Sequence, residues 1–147
     1  QGCFATLNFE DRVPMGESEI LTLAESEDLK VVIQAPSHVS LTRLEIYINS
    51  RIQTITQTED GELRIDPEGA LHVSLTDTIT NSTTARYVKT LKNLPQQKDM
   101  VIIALARGGT GLHPTGGGSP FCFSGPTYVD VNSNGFEPWL ENSQLYK

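Results

Sequence analysis

Alternation of apolar and polar residues at every second position constrains the fold of this chain most strongly. The clearest example is the run of residues 41–48. One face of this run carries Leu44, Ile46 and Ile48, and the other carries Arg43, Glu45 and Tyr47. Successive side chains of a β-strand point to opposite sides of a sheet, so this pattern predicts a half-buried strand.

The same pattern recurs along the chain, and turn residues separate the repeats. We predict strands at residues 18–24, 29–34, 41–48, 51–57, 62–66, 71–75, 86–91, 99–107, 120–124 and 126–131. The runs at 41–48 and 51–57 should form a hairpin around Asn49 and Ser50. Strands at intervals of about 8–12 residues predict an all-β, immunoglobulin-like antiparallel β-sandwich of about 8–10 strands.

Length and charge indicate how many domains the chain forms and which partners its surface disfavours. The 147 residues are interpreted as one domain, residues 1–147. Because the chain opens on Gln-Gly-Cys, we interpret it as a mature product or a piece of a longer secreted protein. Eleven basic and eighteen acidic residues give a net charge of −7, and no basic cluster occurs. This surface disfavours nucleic acid and anionic membranes as partners.

Membrane insertion is not predicted either. The longest apolar run, residues 100–106, is far shorter than the roughly 20 residues of a spanning helix.

Residues 130–141 match the spacing of a calcium loop, D-x-[DN]-x-[DN]-G-x5-E, with Gly135 at its sixth position. The predicted ligands are Asp130, Asn132, Asn134, the carbonyl of Phe136, and Glu141. Ca2+ takes oxygen ligands of these kinds. The strand-like run before the loop and Pro138 within it exclude an EF-hand scaffold. We therefore expect a structural calcium loop near the C-terminus, with a dissociation constant on the order of 10⁻⁴–10⁻³ M. Metal-free turns of Asp and Asn remain the alternative.

Cys3 and Cys122 are the only cysteines, and they lie near opposite ends of the chain. Both stand beside phenylalanine in strand-like runs, which favours buried positions. Three interpretations stay open: a disulfide between the two, two free thiols, or lipidation of Cys3. A disulfide would close a loop of about 120 residues.

No catalytic motif was found. The sequence lacks a G-x-S-x-G elbow, and its three histidines are far apart. We therefore predict that the chain is not an enzyme. Trp139 is interpreted mainly as a cap on the core, with stacking on a sugar ring as the alternative. Tyr47 and Tyr87 are the other candidates for sugar stacking.

Two runs resemble a known family. An early run, residues 29–36 (LKVVIQAP) with 44–49 (LEIYIN), is similar to the C-terminal β-sandwich domain of bacterial PHP-type metallohydrolase-like proteins. A later run, residues 99–108 (DMVIIALARG) with 120–135 (PFCFSGPTYVDVNSNG), is similar to the same domain. The resemblance covers roughly residues 5–138. It implies a secreted sandwich with an acidic loop at residues 130–134. It implies no activity, since the hydrolytic metal centre of that family belongs to a separate upstream domain.

Two functional hypotheses follow. The first is a non-catalytic accessory or interaction module that supports a neighbouring domain or protein of a secreted assembly. The alternative is a carbohydrate-binding module or adhesin that binds glycan by aromatic stacking. Both imply an extracellular, periplasmic or cell-surface location.

Overall fold

Strands form where the alternation predicts them. The structure is a computed structural model that describes residues 3–9, 20–22, 28–36, 39, 41–49, 51–60, 62–65, 73–74, 84–94, 98–108 and 119–137. Every regular element in these ranges is a β-strand. The strands are β1 (Phe4–Phe9), β2 (Ile20–Thr22), β3 (Leu29–Pro36), β4 (Arg43–Ile48), β5 (Arg51–Ile52), β6 (Ile55–Gln57), β7 (Leu63–Ile65), β8 (Val73–Ser74), β9 (Thr84–Lys92), β10 (Met100–Arg107), β11 (Phe121–Phe123) and β12 (Thr127–Asp130).

The strands form two sheets. The first has the order β1-β3-β9-β7-β6, and the second has the order β2-β12-β10-β4-β5, with β11 paired to β10 and β8 paired to β4. The all-β prediction is confirmed, and the two sheets are compatible with a sandwich. Three details differ from the prediction. The predicted strands do not include β1. Twelve short strands occur in the described ranges, and the pairs β2–β12 and β7–β9 are parallel within otherwise antiparallel sheets.

The predicted hairpin forms, but its second arm is divided. Asn49 adopts a positive φ of 49°, and Ile48 pairs with Arg51 across the turn. The chain then leaves the second sheet after Ile52 and joins the first sheet as β6. Residues 51–57 therefore belong to both sheets, which the uniform alternation of that run did not indicate.

One hydrophobic core lies between the sheets. β10 alternates between buried and less buried residues along its whole length. Its inward side chains are Met100, Ile102, Ala104 and Ala106. The first sheet contributes buried residues that include Leu7, Leu29, Val31, Ile33, Tyr87 and Leu91. β1 also contacts β10 and β11 across the core. The inward half of each alternating run therefore provides the contact between the sheets.

The edge of β10 is shared by β11 and β12. β11 pairs with residues 105–107 of β10, and β12 pairs with residues 100–102. Between them the Ser124 hydroxyl accepts a hydrogen bond from the Ala104 amide at 2.9 Å, while the Ser124 amide donates to the Ala104 carbonyl at 2.8 Å. Pro126 has no amide hydrogen to continue the ladder, so the break falls beside it.

Candidate functional site

The predicted calcium-type loop follows β12 directly. Asp130 is buried, and both of its carboxylate oxygens accept hydrogen bonds from loop amides. Oδ1 accepts from Asn132 at 3.2 Å, and Oδ2 accepts from Gly135 at 2.8 Å. The side-chain oxygen of Asn132 accepts from the amide of Asn134 at 3.2 Å. Gly135 has a φ of 99°, a conformation that side chains rarely adopt, at the position where the pattern predicts glycine.

A second carboxylate, which sequence reasoning missed, fastens this loop to the sheet. Asp99, just before β10, is 6% exposed. Its Oδ1 accepts from the amide of Val131 at 3.0 Å, and its Oδ2 accepts from the amide of Glu137 at 2.6 Å. One side chain thus holds both ends of the loop. Nothing in the sequence indicates this, because the partners lie 32 and 38 residues away.

Asn49 joins a third loop to the same end of the sheet. Its side-chain oxygen accepts from the Val101 amide at 2.9 Å, and its side-chain amide donates to the Asp99 carbonyl at 3.5 Å. The β4–β5 turn, the start of β10 and residues 131–137 are therefore hydrogen-bonded together.

The predicted metal ligands among the described loop residues carry oxygen atoms, which suit a hard cation. Each carboxylate oxygen can accept two hydrogen bonds or metal contacts, so Asp130 retains acceptor capacity beyond its two amide partners. Asn132 and Asn134 are exposed. The ring of Phe136 packs edge-on against Tyr128, with centroids 5.2 Å apart, which holds that residue in position. Glu141 lies outside the described residues. Within the described residues, no three or more His, Cys, Asp or Glu side chains are grouped so that they could hold a metal ion.

The outer face of the second sheet is the other candidate site. Phe121 and Phe123 on β11 are 62% and 64% exposed. They pair with Arg107 and Leu105 of β10, and Leu105 in turn pairs with Glu45 of β4. The next row across the sheet contains Ile103, Tyr47 and the exposed Ile52. Directly paired residues share a face, so these apolar side chains are neighbours on one surface.

A charged cluster lies within this outer face. Glu45 is only 3% exposed although it points away from the core. Its carboxylate contacts Arg43 Nη2 at 2.6 Å and Arg107 Nε at 3.4 Å, and it accepts a hydrogen bond from the Tyr47 hydroxyl at 2.8 Å. Two arginines against one glutamate leave one net positive charge in this cluster. Both arginines remain partly exposed.

The aromatic residues predicted to stack on sugar differ in burial. Tyr47 is half-buried on the outer face. Its hydrogen bond to Glu45, and then burial, raise the pKa of its hydroxyl above the usual value for tyrosine. Tyr87 is 1% exposed and packs inside the core, so the prediction that it stacks on a sugar was wrong. Burial also raises the pKa of Tyr87. Trp139 lies outside the described residues.

The exposed phenylalanines follow from a pattern that was present in the sequence. The sequence predicts a buried position for Cys122 within the strand-like run Phe121-Cys122-Phe123. Cys122 is indeed 4% exposed, so strand alternation turns its two neighbours outward. Cys3 is half-buried, and both cysteines are free thiols in the structure.

Comparison with known proteins does not assign the chain to a family. The chain matches no family model, and no curated protein has a significantly similar sequence. Among the described residues, no helix is long and apolar enough to cross a membrane.

Proposed function

We propose that this chain is a non-catalytic, secreted β-sandwich module that binds a protein partner on the outer face of its second sheet. The observation that carries this proposal is the pair of exposed phenylalanines, Phe121 and Phe123, beside Leu105 and Ile103. Single exposed apolar residues are common, but a contiguous apolar patch on a soluble domain marks an interaction surface.

Charge specifies the chemistry of the partner. The cluster of Arg43, Glu45 and Arg107 is net positive by one, on a chain whose net charge is −7. A complementary surface presents apolar side chains around a carboxylate, which would meet the arginines. We infer that the partner is a neighbouring domain or subunit of a secreted assembly, in agreement with the resemblance to C-terminal domains of PHP-type proteins.

An immunoglobulin-like topology is part of the proposal. The order β1-β3-β9-β7 corresponds to strands A, B, E and D of that fold, and β12-β10-β4 corresponds to G, F and C. The parallel β7–β9 pair departs from this pattern.

Photo-crosslinking in the producing cell tests the partner. A benzoylphenylalanine in place of Phe123 should link the chain to one protein through an acidic, apolar surface. The same group at Val88, which is exposed on the first sheet, should not. Phe121→Ser with Phe123→Ser should weaken binding to the identified protein at least about tenfold, since aromatic anchors dominate interface energies. Equal crosslinking from both positions, or a dimer of this chain alone, would contradict the proposal.

A carbohydrate-binding function is the second candidate. The rings of Tyr47, Phe121 and Phe123 on one face favour it, because aromatic faces stack on sugar rings. Glycan-array binding that is lost in Tyr47→Ala or Trp139→Ala, without a crosslinked protein, would support this alternative.

We propose further that Ca2+ stiffens residues 130–141. Asp130, Asn132, Asn134, the Phe136 carbonyl and Glu141 would hold it, and the ion would supply only structural charge neutralisation. At about 10 mM calcium, an affinity of order 10⁻⁴–10⁻³ M should raise the melting temperature by roughly 3–10 °C.

Chelator should reverse this rise, and magnesium serves as the ionic control. Asp130→Asn keeps a side-chain oxygen that can accept a loop amide but removes the charge. Its melting temperature should therefore not respond to calcium. An unchanged melting temperature in the wild type would remove calcium from the proposal and leave the hydrogen-bonded turn.

A further inference from the structure

Cys3 and Cys122 are brought together although 118 residues separate them. Cys3 immediately precedes β1, the edge strand of the first sheet. Cys122 is the middle residue of β11, which belongs to the second sheet. β1 and β11 contact each other. Cys3 also packs against the hydrophobic core of which Cys122 is a member.

We propose that Cys3 and Cys122 form a disulfide that joins the two sheets at this edge. The alternation of β11 directs Cys122 inward, toward the opposite sheet. The two strands that meet at this edge, β1 and β11, are far apart in the sequence. A covalent bond here fastens the first strand to a late one. It is a property separate from partner binding on the outer face.

Thiol–disulfide exchange with an external disulfide provides the chemistry. The thiolate of Cys3, the more accessible residue, attacks one sulfur of the external disulfide, forms a mixed disulfide and releases one thiolate. Cys122 then loses its proton and attacks the sulfur of Cys3, which breaks the mixed bond and releases the second thiolate. Two electrons pass from the protein thiols to the external disulfide. The two protons of the protein thiols are taken up by the two released thiolates.

Burial raises the pKa of the Cys122 thiol, and its contact with Cys3 adds to this effect. The second step should therefore be the slow one. Once formed, the bridge is shielded from reductants on the side of Cys122, which is buried, while the half-buried Cys3 is its more accessible sulfur. An oxidising compartment, as expected for a secreted protein, favours it.

The test uses the full chain, refolded with oxidised glutathione and compared with the same chain kept in reductant. We expect a monomer that is lighter by two hydrogens, has no titratable thiol, and links the peptides of Cys3 and Cys122. Closing a loop of about 120 residues should raise the melting temperature on the order of 10 °C above that of the reduced chain.

Two serine variants separate the bridge from burial of the thiols. Cys3→Ser, at the half-buried position, should melt close to the reduced wild type and should not respond to the oxidant. Cys122→Ser additionally places a hydroxyl in the core and should melt lower still. Two titratable thiols after oxidation, disulfides only between chains, or a lipid attached to Cys3 would each overturn the proposal.

Discussion

Asp99→Ala should lower the free energy of unfolding by about 2–4 kcal/mol, because it removes two charge-assisted hydrogen bonds at once. The amides of Val131 and Glu137 lose their acceptor in this variant. Because both amides lie near the surface, water can replace part of the lost hydrogen bonding. The expected loss of stability is therefore smaller than for two fully buried donors. Urea denaturation monitored by tryptophan fluorescence and circular dichroism gives the difference.

Hydrogen exchange identifies where the loss occurs. In Asp99→Ala the amides of Val131 and Glu137 should exchange faster, while amides in the middle of β3 and β9 should change only with global stability. Glu59→Ala provides the charge-matched control, since it removes a negative charge from an exposed turn and should change stability by no more than about 0.5 kcal/mol. Equal stabilities of the two variants would show that Asp99 does not hold the loop.

Ile102→Ala should lower the free energy of unfolding by about 3–4 kcal/mol. Ile102 is fully buried between the sheets, and truncation leaves a cavity that the surrounding strands can fill only in part. The adjacent Ile103 points to the outer face, where it is half-buried beside Tyr47. Ile103→Ala should therefore cost only about 1 kcal/mol, since part of its surface already contacts water and a truncated side chain there leaves no closed cavity.

This pair of variants tests which face of β10 meets the core. Both remove the same atoms from neighbouring positions of one strand, so propensity and composition are matched. Denaturation midpoints of the two proteins, with equal denaturant slopes, give the comparison directly. Similar losses for both would mean that the outer face is also covered, which would contradict its proposed role as an exposed binding surface.

Local physics explains why most strands could be predicted from sequence. The period-two pattern at residues 41–48 and 99–107 indicates which side chains are buried on folding. Those two runs form the strands β4 and β10. The turns at Asn49 and Gly135 could also be predicted, because these residue types favour the positive φ angles that the two turns require. These features depend on residues that are close in sequence.

The misjudged features depend on distant partners. Alternation in residues 51–57 is the same whether one sheet or two receive the run, so the division between β5 and β6 was not visible. Tyr87 and Tyr47 are chemically alike, and only packing decides that the first is a core residue. The parallel pairs β2–β12 and β7–β9 likewise depend on how the chain returns to each sheet.

For this protein, the sequence alone determined that the chain forms strands, where most of them lie, and that residues 130–135 form a tight loop with oxygen-bearing side chains. Nearest-neighbour sterics and the burial of alternate side chains are sufficient for those features. Only the tertiary structure decided that Asp99 holds the loop, that Arg107 of β10 reaches Glu45 of β4, and that β1, next to Cys3, contacts β11, which carries Cys122. Each of these contacts joins residues that the sheets, and not the local pattern, bring together.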